Sequence, residues 1–109
     1  MIPDLVNKFR FLHGVDKIEY WDNSISSYCN QHCWAMARAG NIYHAESYYL
    51  NDWKEAVASI NYDDKWEDRI IFDILGAEEQ HKRFLLECKV MAYAYCFNNW
   101  KVYLTIRGK

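Results

Sequence analysis

The sequence is poor in the residues that bend or break a chain. Of 109 residues one is proline and four are glycine, well below ordinary usage. Linkers and low-complexity tracts are excluded, and few sharp turns are available. No glycine-rich loop precedes a helix and the single Gly-Lys pair is Gly108-Lys109, so a phosphate-cradling nucleotide site is excluded too. The longest unbroken apolar run, Val90 to Phe97, is too short to span a bilayer. The opening residues MIPDLVNKFRFLH lack the basic-then-apolar layout of a secretory leader. No Asn-x-Ser/Thr acceptor occurs, and the four cysteines read as free thiols. These absences predict a soluble, cytoplasmic protein without a membrane contact.

Excess charge of either sign is missing as well. Thirteen basic and fifteen acidic side chains leave a net charge of -2, which does not suggest direct nucleic-acid binding. The distribution is uneven, because residues 61–80 hold seven acids against Lys65 and Arg69, whereas residues 81–109 hold six bases against Glu87. We read this as intramolecular complementarity and charge placed at helix ends.

What the chain has in abundance is rings: nine Tyr, five Trp and five Phe. A buried aromatic hides about 150–250 Å², and a domain of this length buries only about 60–70% of its unfolded surface. Some rings are therefore left for contact with another molecule.

Pro3 and Asp4 open an apolar-periodic stretch, Leu5, Val6, Phe9 and Leu12, that stops at His13-Gly14, which predicts a short first helix. Asp22-Asn23-Ser24 supplies caps for a second helix running from about Ser24 to Gly40. From Asn41, steps of about 100° place Ile42, Tyr49, Trp53, Ala56, Val57 and Ile60 on one face opposite His44, Asn51 and Glu55, predicting a third helix. After an Asp64 cap, Trp66, Ile70, Ile74, Ala77, His81, Phe84 or Leu85, Cys88, Ala92 and Tyr95 hold helical phase. A helix over 64–97 is about 50 Å long, so it either kinks near Gly76 or projects. Residues 100–107 alternate as a strand does, with a frayed helix as the alternative. With nine alanines and one threonine, the expectation is a mainly α fold: one domain over 1–109, a bundle of four to five helices, with a short hairpin pairing 17–21 with 100–107 as an option.

Three groups of residues have chemical content. Cys33-Trp34-Ala35, followed by His44-Ala45 and Asn51-Asp52-Trp53, resembles papain-like cysteine proteases in residue order. That resemblance implies Cys33 as nucleophile, His44 as base and Asn51 as its orienting amide. It covers scattered tripeptides, and the histidine lies 11 residues on, where the family places it well over a hundred residues downstream. Cys33 also falls mid-helix, away from the dipole that lowers a thiol pKa. By their positions Cys29, Cys33 and Met36 are core fillers.

Glu78 and His81 have the Glu-x-x-His spacing and so resemble one half of a ferritin-like di-iron site. Glu46 and His32 also share faces with apolar residues. The metal reading uses Glu46, Glu78, His81 and His32; the preferred one makes His32, Glu46 and His81 a hydrogen-bonded buried network with no cofactor.

The third group is rings on polar faces. Trp34 points away from Ile25, Cys29 and Met36, beside Gln31 and Arg38, while Tyr48 and Trp21 lie off the main stripes. Trp, Tyr and Arg dominate interface hot spots. The expected function is a non-enzymatic protein-binding module that occludes a protein partner through Trp34, Tyr48, Trp21, Arg38 and Gln31. In style it fits a small antagonist such as a phage-encoded inhibitor of bacterial defence, an antitoxin or an immunity protein. A small metal-binding or redox enzyme built on Glu46, Glu78, His81 and the cysteines is the alternative, and homodimerisation is a further option.

Overall fold

A computed structural model describes residues 1–46 and 52–109. Its centre is a four-stranded mixed sheet, not a helical bundle. The chain runs α1 (Ile2–Leu12), β1 (Tyr20–Trp21), α2 (Asn23–Ala39), β2 (Lys54–Asn61), a short α3 (Trp66–Asp68) that continues as π-helix over Arg69–Leu75, α4 (Glu79–Glu87), β3 (Val90–Asn98) and β4 (Lys101–Gly108). Strand order is β1-β3-β4-β2, with β1 parallel to β3 and the other pairs antiparallel.

Side-chain alternation along the strands decides which helix lies where. Val57, Cys96 and Tyr103 point to the α2 side, where they pack with Cys33, Met36 and Ala37. Ala56, Ala58, Ile60, Met91, Val102, Leu104 and Ile106 point the other way and meet Val6 and Phe9 of α1, Trp66 of α3, Ile70, Ile71 and Leu75 of the π-helix, and Leu85 of α4. The molecule is thus an α/β/α sandwich. The central strand β4 is buried from Val102 to Arg107, and a side chain such as Ile106 or Met36, removed wholly from water, contributes about 1.5–3 kcal/mol.

The first two helices lie where their caps predict. Asp22 accepts the Ser24 amide at 2.9 Å, and Gly40 closes α2 at φ 75° with its N–H on the Met36 carbonyl, the left-handed C-cap for which glycine is favoured. Buried Arg10 ties the helical layer together, donating to the Asp16, Leu85 and Cys88 carbonyls at 2.6, 2.6 and 2.9 Å.

Three expectations are corrected. The helix expected from Asn41 to Ile60 is strand β2 over Lys54–Asn61, because both faces of this strand are covered and its inward residues on the two sides mimic a helical stripe. The long helix expected over 64–97 ends as π-helix at Gly76, restarts with Glu78 as N-cap and stops at Glu87, so Val90–Asn98 is strand. The hairpin expected between 17–21 and 100–107 is replaced by parallel pairing of Tyr20 and Trp21 with Val90 and Met91. Residues 101–108 do form a strand, paired with β3 and β2.

Candidate functional site

Under the open side of α2 lies a buried carboxylate. Glu55 and Arg107 are register partners on β2 and β4, both pointing to the α2 face, and Arg107 Nε donates to Glu55 Oε2 at 3.2 Å. The segment after α2 folds over the other oxygen: His44 Nδ1 donates to Glu55 Oε1 at 3.1 Å and the Ala45 amide donates to it at 2.9 Å. The carboxylate side chain has no exposed surface, so these partners replace the water it has lost. His32, also buried, stands 3.9 Å from the same oxygen and donates through Nε2 to the Tyr43 carbonyl at 2.5 Å, with the Tyr43 ring edge-on to its imidazole at 5.0 Å.

Above this cluster opens a cleft of about 580 Å³ lined by Tyr28, Gln31, His32, Trp34, Arg38 and Arg107, among others. The helix explains the lining. Cys29, Cys33, Met36 and Ala37 take the buried stripe of α2, so the residues one step round, at 28, 31, 34, 35 and 38, flank the cleft. Trp34 is 42% exposed and Tyr28 53%. Among the described residues the lining carries two arginines and a histidine but no carboxylate.

Three of the residues expected to bind a partner, Trp34, Arg38 and Gln31, come together here. Trp21 does not join them; it is half-buried and meets Tyr93 edge-on at 5.6 Å. Tyr48 lies outside the described residues. Of the residues considered for a metal, His32 belongs to the Glu55 cluster. Glu46 is exposed after α2, and the Glu78–His81 pair sits at the start of α4, beyond the sheet, where Glu78 caps the helix and contacts His81 Nδ1 at 2.8 Å. Among the described residues no group of three His, Cys, Asp or Glu side chains is placed to hold a metal ion.

The protease-like trio is not assembled either. Cys33 Sγ donates to the Ala94 carbonyl at 3.0 Å and lies 3.3 Å from Thr105 Oγ1, while His44 bonds Glu55 and Asn51 lies outside the described residues. Burial pushes the Cys29 and Cys33 thiols up to about 12, leaving roughly one thiolate in 10⁵ at neutral pH. Burial likewise raises Cys88 to about 11.

Sequence reasoning misses Glu55 and Arg107 as site residues. As a helical residue Glu55 falls on a solvated face; as a strand residue it shares a face with Val57 and sits opposite Arg107, a cross-strand charge pair readable only once β2 is a strand.

No family model and no curated protein matches the sequence. Solved structures do match the fold. An outer surface protein of Borrelia burgdorferi superposes with a TM-score of 0.73 over 97% of this chain and 87% of its own, at 12% identity. A cysteine-rich secretory protein of Staphylococcus aureus gives 0.60 over 99% of this chain and 37% of its own, at 10% identity. The likeness is one of α/β fold alone, and it agrees with the sheet-centred architecture.

Proposed function

We propose that the protein is a non-enzymatic binding module whose α2 cleft takes an acidic, partly apolar segment of a protein partner. The observation that carries this reading is the exposed Trp34 ring on a capped helix, beside Tyr28 and above a cleft with Arg38, Arg107 and His32 but no carboxylate. A rigid ring supplies contact area at small entropic cost. Arg38 and Gln31 supply the polar rim that fixes orientation. Glu55 neutralises Arg107 in the floor, so the charge offered to a partner is that of Arg38 in the lining, which favours a carboxylate. Burial of every cysteine leaves no activated thiol for catalysis. It also supports placing the protein in a reducing, cytoplasmic setting. Among the described residues no helix is long and apolar enough to cross a membrane. The narrower expectation of a phage-encoded inhibitor, antitoxin or immunity protein rested on likeness of style to small, motif-free, aromatic-rich antagonists; the fold and its structural neighbours lend it no support.

The test is a side-by-side capture with immobilised wild type, Trp34→Ala and Arg38→Glu. A partner held by wild type, lost from both variants and released by raised salt supports the cleft. A partner held equally by all three refutes it.

A further inference from the structure

Strand β3 has an open flank. The two-residue turn Asn99-Trp100 makes Asn98 and Lys101 the first hydrogen-bonded pair of the β3–β4 ladder. Ala92, Ala94, Cys96 and Asn98 therefore direct their backbone N–H and C=O groups to β4, and Met91, Tyr93, Tyr95 and Phe97 direct theirs to the other side. Strand β1 covers that side only at Val90 and Met91, where the Met91 carbonyl accepts the Asp22 amide at 2.8 Å. Beyond it, the outward backbone groups of Tyr93, Tyr95 and Phe97 meet no partner among the described residues. Such an edge is ordinarily blunted by a charge, a proline or a bulge. Residues 90–97 contain no charged residue and no proline, and their pairing with β4 runs unbroken from Met91 to Asn98.

The rings that the α2 cleft does not use gather along the same strand, on the opposite face of the sheet. Tyr93, Tyr95 and Phe97 project from one face of β3, with centroids 6.4 and 5.6 Å apart, and Trp66 braces the row at 4.9 Å from Tyr95. Tyr95 and Phe97 are exposed, and Trp100, at 82%, is the most exposed large apolar side chain among the described residues. Trp100 stands at φ 61°, a turn position that suits glycine, so an indole there strains the backbone.

We propose that this flank is a dimer interface, in which β3 of one copy pairs antiparallel with β3 of a second across a two-fold axis and joins the two four-stranded sheets into one. Only an extended backbone offers N–H and C=O groups at the spacing that Tyr93, Tyr95 and Phe97 present. A second copy supplies one of matching chemistry, an uncharged aromatic strand that meets no like charge. Pairing of identical strands across a two-fold is isologous, so both open flanks close at once. The end of β1 sets the register. With the axis at Tyr95, the turn of one copy runs into Trp21 of the other, which occupies the place opposite Met91. With the axis at Cys96 the turn clears it, and Tyr95 of each copy lies opposite Phe97 of the other. Both pairs then exchange their N–H···O bonds, and their rings form aromatic cross-strand contacts. Trp100 of each copy reaches the Trp21–Tyr93 pair of the other, which covers a ring that its own chain leaves bare. Helix α2 lies over β3 and β4 together, so about two strand spacings of 4.8 Å separate it from its counterpart, an ordinary helix-packing distance. The exposed parts of Tyr95, Phe97 and Trp100 come to on the order of 300 Å² per copy, against about 800 Å² on each side of a standard interface. The dimer is therefore of the weak, reversible class, in the micromolar range.

Sedimentation equilibrium of the full chain from about 1 µM to 1 mM, with amide hydrogen exchange at both ends of that range, tests this. A monomer–dimer equilibrium that stops at the dimer is expected. On association the Tyr95 and Phe97 amides slow, whereas those of Ala94 and Cys96, already turned to β4, keep their rates. Tyr95→Pro removes an outward N–H and leaves the ladder to β4 intact; one bond lost from each copy weakens association about tenfold. Phe97→Lys leaves the backbone untouched, sets a charge on the ring row and is expected to weaken association as well. A chain that stays monomeric at about 1 mM, a dimer whose Tyr95 and Phe97 amides exchange as in the monomer, or one that both variants leave at full strength overturns the proposal. So does growth beyond the dimer, which denies the closed two-fold. A chain that stays monomeric while an added peptide of alternating valine and threonine slows those two amides overturns it too, and assigns the edge to a strand of a different protein.

Discussion

Removing the Glu55 carboxylate tests whether the cleft floor is one electrostatic unit. In Glu55→Leu, three donors lose their acceptor: Arg107 Nε, His44 Nδ1 and the Ala45 amide. The decisive one is Arg107, whose side chain is 8% exposed, since an uncompensated buried charge costs about 3–5 kcal/mol. His44 is half exposed and rehydrates, adding less than about 1 kcal/mol. Against a total stability of about 5–15 kcal/mol, the loss lowers Tm by on the order of 15–25 °C. Arg107→Met alone strands the carboxylate instead and costs a similar amount. The double variant Glu55→Leu with Arg107→Met buries no unpaired charge, and a hydrophobic pair of similar volume is expected to lie within about 1–2 kcal/mol of wild type. Urea unfolding followed by tryptophan fluorescence, run on all four proteins, gives the coupling energy directly. Single losses of about 3–5 kcal/mol each against a double loss of about 1–2 kcal/mol make the expected coupling at least about 4 kcal/mol. Additive losses, or a single variant that loses less than about 1 kcal/mol, refute the idea that this pair is buried and mutually dependent.

The buried thiols make stability fall in alkali. Unfolded cysteines ionise from pH 9, whereas folded Cys29 and Cys33 hold their protons to about 12 and Cys88 to about 11. The unfolded chain then binds fewer protons, so the contribution is full below pH 9 and lost between 9 and about 12. By pH 10 the three thiols together remove at most about 4 kcal/mol. Unfolding free energies at pH 8 and pH 10 measure this; Cys33→Val is expected to reduce the drop by about a third, and a flat profile contradicts the burial argument. Gly76→Ala places a Cβ 2.5 Å from Phe9 Cε1 and 2.8 Å from the Ile71 carbonyl, where the backbone oxygen cannot step aside. A loss of about 1–3 kcal/mol is expected, and an unchanged thermal midpoint argues that α1 and the π-helix are not in close contact.

Local signals were legible where they act locally. Asp22, Gly40 and Gly14 mark helix ends through bonds and dihedrals made within a few residues, so α1 and α2 could be placed from sequence. Strands β2 and β3 could not, because burial on both faces leaves no alternation of polarity by which a strand is recognised; β4 kept the alternation by which residues 100–107 read as a strand. Trp53, Ala56, Val57 and Ile60 then fit helical spacing by coincidence, as do Cys88, Ala92 and Tyr95. Their alanines add helix propensity that packing overrides. An alternation of size survived all the same. Along β3, Met91, Tyr93, Tyr95 and Phe97 are large, whereas Ala92, Ala94 and Cys96 between them are small. The small set meets α2, whose own buried face carries Cys29, Cys33 and Ala37. Small residues on both surfaces let that helix approach the sheet closely, and the large set on the reverse side becomes the row of rings. The site follows from the same geometry. Trp34, Gln31 and Arg38 could be grouped because they share one helix, but the Glu55–Arg107 pair beneath them joins residues 52 apart in sequence. Only the register of β2 on β4 brings those charges together. The sequence periodicity that concealed β2 therefore concealed the floor of the cleft as well, and the surplus of aromatics divides between two faces that no helical wheel can separate.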